Sequence, residues 1–114
     1  MRSGRDYVPD RGDLVWLDFN PQAGHEQRGR RPALILSPKA YNEKTSLCIA
    51  LPITSKVKGY PFEVKLDPAL PIHGVILADQ VKSLDFTVRN AALICRIDEA
   101  TLHEVQRKLS VLIH

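Results

Sequence analysis

Two cysteines are all that this 114-residue chain carries. They form neither a CxxC pair nor a short spacing with any histidine, which argues against a zinc ribbon and a disulfide framework. Cys48 and Cys95 lie in apolar stretches, Leu47-Cys48-Ile49-Ala50 and Leu93-Ile94-Cys95. They are expected as buried free thiols in a reducing compartment rather than as a disulfide. The four histidines, His25, His73, His103 and His114, are scattered without HxxxH spacing, so no metal is expected. His73, in a turn before Gly74, and His103, on the tail, read as surface or capping residues. GxSxG, P-loop and GxGxxG motifs are all missing, and no cofactor is expected. No apolar run approaches the ~20 residues of a membrane span. The first residues, Met1-Arg2-Ser3-Gly4-Arg5-Asp6, carry charge with no apolar segment behind them, unlike a secretory signal. A cytoplasmic protein without membrane association is expected. There is no internal repeat and no low-complexity stretch.

What remains is ordinary in bulk and uneven in detail. The length fits one domain, residues 1–114. The hydrophobic fraction of 44% and the charged fraction of 25% are those of a soluble globular protein. A net charge of +3 favours an acidic partner such as nucleic acid, tempered by 13 Asp and Glu.

Short apolar segments recur between turn residues. Strands are expected over Asp13–Phe19, Pro32–Leu36 and Ser46–Ile53, the second buried on both faces because its apolar run is continuous. Pro38 and Asn42 interrupt the chain, leaving Tyr41–Lys44 at most one helical turn. Pro61–Leu66 alternates, with Phe62, Val64 and Leu66 facing one way and Glu63 and Lys65 the other, the period of a half-buried strand. Asp67–Gly74 reads as a loop. Val75–Ala78 and Gln80–Leu84 read as short strands or one bent strand, and Phe86–Ile97 carries another. The tail then changes period. Leu102, Val105, Leu109 and Leu112 fall at helical spacing, and Asp98 can cap the N-terminus of a helix over Glu99–Ile113. Many short strands at close spacing, with one helix whose apolar stripe covers the core, predict a mainly β fold: a small closed or nearly closed β-barrel with a C-terminal α-helix.

Chemistry concentrates in the connections. Asn20–Arg31 is long for so small a domain and holds a Glu, three Arg, a His and two Gln around two glycines. Thr54-Ser55-Lys56-Val57-Lys58-Gly59-Tyr60-Pro61 adds hydroxyls, two Lys and a Tyr. Lysines neutralise phosphates and a tyrosine stacks on an unpaired base. Asp79-Gln80-Val81-Lys82-Ser83 offers polar groups that can read a base edge. Each stretch taken alone is also what a solvated surface looks like; together they favour RNA. Cutting RNA without a metal uses the ribose 2′-OH as internal nucleophile, so proximity is built into the substrate. The protein must help remove that proton, stabilise charge on phosphorus and help the 5′-oxygen leave. Glu26 suits the first task. Arg31 can hold two phosphate oxygens at once, and the Thr54 hydroxyl can donate to the same phosphate.

Six segments, in order and spacing, resemble the MazF/PemK toxins of bacterial toxin–antitoxin systems. They are Tyr7-Val8-Pro9-Asp10 with Gly12–Phe19, then Glu26-Gln27-Arg28-Gly29-Arg30-Arg31-Pro32-Ala33, Leu36-Ser37-Pro38, Tyr41-Asn42, Lys58-Gly59-Tyr60-Pro61-Phe62-Glu63-Val64 and Ala78–Ser83. The resemblance covers nearly the whole chain. It implies an SH3-like β-barrel, a homodimer, and a metal-independent, sequence-specific endoribonuclease acting on single-stranded RNA, mainly mRNA, to leave 2′,3′-cyclic phosphate and 5′-OH ends. It places the family's essential Arg on Arg31, as proton donor and phosphate clamp, its essential Thr on Thr54, as transition-state stabiliser, and its Glu on Glu26, as base or as organiser of Arg31. His25, Gln27, Arg28, Arg30, Ser55, Lys56, Lys58, Tyr60, Asp79, Gln80 and Lys82 are the expected RNA contacts. His25 stands where relatives often carry a small polar residue, and Arg28 and Arg30 make the loop more basic than in some of them. The resemblance also implies a MazE-like antitoxin whose acidic C-terminal tail lies across the basic groove.

Two rivals are non-enzymes. Toxins of the same fold bind and poison DNA gyrase, and a plain interaction module would explain the charge. Neither needs Glu26, Arg31 and Thr54 together.

Overall fold

Three successive strands, each buried on both faces, set the architecture. The computed structural model describes residues 7–19 and 29–113. Within them the order is β1 (Asp13–Asp18), β2 (Arg30–Ile35), α1 (Lys39–Thr45), β3 (Leu47–Thr54), β4 (Glu63–Lys65), β5 (Val75–Leu77), β6 (Lys82–Asp85), a 3-10 turn (Phe86–Val88), β7 (Ala92–Arg96) and α2 (Glu99–Ile113). All pairings are antiparallel. The hydrogen-bonded path runs β4-β5-β3-β2-β1-β7, and β6 joins β3 off that path. The path is open. Among the described residues no pairing links β4 to β7, so in place of the expected closed or nearly closed barrel stands an antiparallel sheet with two free ends, and α2 packs at one of them.

The pleat sends alternate side chains to two cores. Leu14, Leu34, Leu51 and Ile53 enter one, with Val64, Leu66, Ile76, Ala78, Ile97 and Val105. Val15, Leu17, Ala33, Ile35, Cys48 and Ala50 enter the other, with Leu84 and Phe86. The run Ala33-Leu34-Ile35 is fully buried, as its unbroken apolar character predicts. Every residue of β3 has a pairing partner, and Ala50 has one on each side. Ala50–Pro52 pair with β2, Leu47–Ala50 with β6, and Ile53 and Thr54 with β5.

Several boundaries differ from the sequence reading. β2 begins at Arg30, so Arg30 and Arg31 belong to the strand and not to the connection before it. α1 is seven residues rather than a single turn at most. Its cause is Asn42, fully buried, whose Nδ2 donates to the Pro9 carbonyl at 2.8 Å and the Ser37 carbonyl at 3.1 Å, while Oδ1 accepts from Ser37 Oγ at 2.6 Å. A buried amide with all these partners holds the helix against the chain start despite weak local propensity. Ser46 is not in β3 but caps α1 in the left-handed region, at φ 63°. β4 is shorter than its alternation suggests, although Val64 and Leu66 are buried and Lys65 exposed as expected. Phe86–Ile97 splits into a 3-10 turn and β7, because the Asp85 carboxylate accepts from the Thr87 N–H at 2.9 Å and turns the chain. Cys48 is buried and Cys95 only partly so; both are free thiols. Burial raises the Cys48 thiol to about 11, which keeps it protonated and inert.

Asp13 anchors the chain start. It is a buried carboxylate that takes the Tyr7 hydroxyl, the Asp10 N–H at 3.0 Å and Arg96 Nη1 at 2.6 Å. Burial, and then the Asp13 charge, push the Tyr7 phenol well above its ordinary range, so Tyr7 stays the donor.

α2 starts as expected. Asp98 Oδ2 accepts from the Thr101 N–H at 2.9 Å and from the Thr101 hydroxyl at 2.7 Å. Leu102 and Val105 pack on the first core, but Val111, Leu112 and Ile113 are exposed, so the apolar stripe covers the core only through its first half. No helix is long and apolar enough to cross a membrane. Asp98→Ala is expected to lower stability by ~1 kcal/mol at neutral pH, with the denaturant slope unchanged. The Thr101 hydroxyl and N–H hold the Asp98 carboxyl below its ordinary value. Its contribution is therefore complete above the unfolded pKa and lost as pH falls through the lower folded one. Urea titrations of the two proteins at pH 7 and below about pH 3.9 should show the gap closing.

Candidate active site

The antiparallel register of β2 and β3 runs Ile35↔Ala50, Leu34↔Leu51, Ala33↔Pro52. Carried two residues further, it sets Arg31 across from Thr54 on the same face of the pleat. Both line a groove of about 860 Å³, which has Trp16, Pro32 and Ile53 beside them. The rest of its wall comes from distant segments: Ser55, Lys56, Lys58 and Tyr60 after β3, Phe62 and Glu63, Pro71-Ile72-His73 before β5, Leu77 at its end, and Asp79 and Gln80 after it. Trp16 is 36% exposed although it sits in the middle of β1, because it faces this opening.

Local contacts fix the polar groups. Thr54 Oγ1 accepts from the Lys56 N–H at 3.1 Å, which orients the hydroxyl and leaves its proton available to a substrate. Thr54 is also pressed from behind. Gly74 adopts φ +125°, and a Cβ there would lie 2.2 Å from the Thr54 carbonyl oxygen. Only glycine allows this approach. The Glu63 carboxylate accepts from the N–H groups of Lys58 at 3.1 Å and Gly59 at 2.9 Å, so its charge closes the 54–61 connection. Lys58 Nζ stands 5.9 Å from the Tyr60 ring centroid, and Tyr60 is 61% exposed. A cation beside a free aromatic face suits a phosphate next to an unpaired base.

Ten of the expected site residues fall in the described region, and eight of them line the groove: Arg31, Thr54, Ser55, Lys56, Lys58, Tyr60, Asp79 and Gln80. Two do not. Arg30 lies on the opposite face of β2 from Arg31, and its Nη1 pairs with Asp18 Oδ1 at 3.1 Å. Lys82 is on β6, across from Ala50, and is not among the lining residues. Glu26, His25, Gln27 and Arg28 lie outside the described residues. Sequence reading missed Trp16, Phe62, Glu63 and Pro71–His73. Its one signal for the last of these was an acid–base side chain next to a glycine; the others meet Arg31 only through the sheet register. Among the described residues no three of His, Cys, Asp and Glu cluster in a way that could hold a metal ion.

Comparison with known proteins follows the same lines. Residues 10–113 match the family described as the PemK-like, MazF-like toxin of type II toxin–antitoxin systems. The chain is 49% identical to the endoribonuclease toxin MazF of Escherichia coli K12 over 107 residues, covering 94% of this chain and 96% of that one. It is 34% identical to the endoribonuclease PemK of Escherichia coli, covering 91% and 81%. Among solved structures, MazF from Deinococcus radiodurans superposes with a TM-score of 0.86 at 56% identity, covering 95% of this chain and 98% of that one. A MazE–MazF complex from the same organism gives 0.85 at 50%, covering 95% and 97%. The chain belongs to the PemK-like, MazF-like toxin family of type II toxin–antitoxin systems.

Proposed function

We propose that the groove is the catalytic site of an endoribonuclease toxin that cuts single-stranded RNA, with mRNA as the main target, through attack of the ribose 2′-OH on the adjacent phosphorus. The observation that carries this is the facing pair Arg31 and Thr54 at the head of a groove that also offers Lys56, Lys58 and a free Tyr60 ring. Glu26 takes the 2′-OH proton as the O2′–P bond forms. Arg31 clamps two phosphate oxygens and gives a proton to the 5′-oxygen as the P–O5′ bond breaks, to be replaced through solvent by the proton that Glu26 took, while the Thr54 hydroxyl donates a hydrogen bond to the charged phosphorane. The products are a 2′,3′-cyclic phosphate and a 5′-OH end, and no metal enters the scheme. Ser55, Lys56, Lys58 and Tyr60 hold the backbone and stack a base, and Asp79 and Gln80 face base edges. Cleavage at a short motif would stop translation and growth.

Residues 1–114 read as one toxin domain. β3, which pairs β5 and β6 along a single edge, supports reading the curled sheet as an SH3-like barrel with a gap. The exposed apolar end of α2 is compatible with a homodimer. The solved MazE–MazF complexes support an antitoxin partner, and the basic groove suits an acidic, extended tail.

Purified protein incubated with a long mixed-sequence RNA in EDTA is expected to cut at one short motif and leave 5′-OH ends, as 5′-end mapping will show. Arg31→Ala should lower kcat by about 100-fold or more with folding intact. Thr54→Val should approach the same loss while Thr54→Ser keeps most activity. Absence of cleavage by the folded wild type would favour a gyrase-binding toxin instead. Gly74→Ala, which never touches RNA in this scheme, should drive the Thr54 carbonyl out of place, lowering both Tm and kcat, the latter by about 100-fold. An antitoxin tail and RNA should exclude each other: added antitoxin should abolish cleavage competitively, and a ternary complex that still cuts RNA would overturn the shared-groove reading.

A further inference from the structure

The connection that carries Glu26 leaves β1 at Phe19 and returns at Gly29, two residues before Arg31. Its two ends are tied to each other, with the Phe19 N–H donating to the Gly29 carbonyl at 2.8 Å. They are also tied to a part of the chain with no place in the chemistry above. Arg89 Nη1 donates to the carbonyls of both Asp18, at 3.0 Å, and Phe19, at 3.1 Å. The Asp18 N–H donates to the Arg89 carbonyl at 2.9 Å. Asn90, held in the left-handed region at φ 52°, sends Nδ2 to Asp18 Oδ2 at 2.7 Å. The other Asp18 oxygen takes Arg30 Nη1. Arg89 is half-buried and 70 and 71 residues along the chain from the two carbonyls it holds.

We propose that Arg89, acting with Asp18, is a positioning residue for RNA cleavage: it fixes the stem from which the Glu26 segment departs and at which Arg31 enters β2. This rests on the nuclease reading of the groove. A single guanidinium nitrogen bridging two consecutive carbonyls ties the orientation of two peptide planes together, and a lysine ammonium on its more flexible stem holds them less rigidly. Asp18 pairs with Arg30 on one face of the sheet, and the alternation of the pleat sets Arg31 on the other face, that of Thr54. The groups that hold RNA in the ground state, Lys56, Lys58 and Tyr60, sit on a separate connection that Arg89 does not touch. Loosening the stem therefore changes the alignment of the reacting groups and not the grip on the substrate. Misplacement of reacting groups by about 1 Å costs on the order of 100-fold in rate.

The test compares wild type, Arg89→Gln, Arg89→Lys, Asp18→Asn and, as a control distant from the stem, Asp98→Ala. Single-turnover cleavage of a short RNA holding the mapped motif is measured beside affinity for the same strand with 2′-O-methyl at the cut site. Arg89→Gln is expected to lower the cleavage rate by about 10- to 100-fold with less than about threefold change in affinity. Arg89→Lys and Asp18→Asn should be intermediate, and Asp98→Ala should cut at the wild-type rate despite its lower Tm. Rates that follow Tm across all four variants would reduce Arg89 to a stability role and overturn the proposal. Weakened affinity with an unchanged rate at saturation would overturn it too, by making Arg89 an RNA contact. If Arg89→Gln does not fold, Arg89→Lys and Asp18→Asn decide between the same outcomes. Wild-type protein that fails to cut any RNA would instead refute the nuclease reading itself.

Discussion

Everything in this fold hangs on the pairing of β3. Like β1 and β2 it carries apolar side chains on both faces, but among the described strands it alone pairs with three others, so its position is set by three strands and two cores at once. Register is strongly specified wherever side chains are buried, since a one-residue slip would exchange the two sets of core residues. Leu51 and Ile53 cannot trade places with Cys48 and Ala50 without emptying one core and crowding the other. That constraint delivers Thr54, the last residue of β3, to the same end of the sheet as Arg31. A strand that organises the interior thus also determines where a hydroxyl meets a guanidinium.

Around this frame, buried and half-buried polar groups hold segments that propensity alone would leave loose. Asn42 pins α1 to Pro9 and Ser37, Asp13 gathers Tyr7, Asp10 and Arg96, and Asp18 gathers Arg30 and Asn90. Each is nearly fully satisfied, which is what makes such groups tolerable in a low-dielectric interior. They divide the segments that resemble the toxin family into two kinds. Tyr7–Asp10, Ser37-Pro38 and Tyr41-Asn42 serve the architecture. Arg31-Pro32, Lys58–Glu63 and Asp79-Gln80 line the groove. Glu63 spans both, with its side chain closing the lysine-bearing connection and its strand covering the first core.

The failures of sequence reading have specific causes. The β2 boundary was misplaced because Arg30 and Arg31 are charged, and nothing local says that β1 pairs with them through Asp18 and Leu17. α1 was underestimated because its length depends on a buried amide contact 33 positions away, at Pro9. Lys82 and Arg30 stand among the expected RNA contacts by proximity in sequence; in the fold Arg30 pairs with Asp18 and β6 carries Lys82 along β3, outside the groove lining. The helix over Glu99–Ile113 and its cap were read correctly, because a 3.6-residue period and an Asp ahead of it are local signals.

The sequence by itself determined the strand-rich character, the C-terminal helix and the doubly buried second strand, and it singled out Arg31, Thr54, Lys56, Lys58 and Tyr60, which the fold brings to one groove. These follow from side-chain type and periodicity over a few neighbours, and from motifs whose order is preserved along the chain. Only the tertiary structure decided that the sheet stays open among the described residues, that Gly74 braces Thr54, that Trp16 and His73 enter the groove, and that Arg89 holds the stem at Asp18. Those arrangements arise from pairings between segments far apart in sequence. Their register is selected by the packing of two cores taken together, and no stretch of the chain encodes that selection locally.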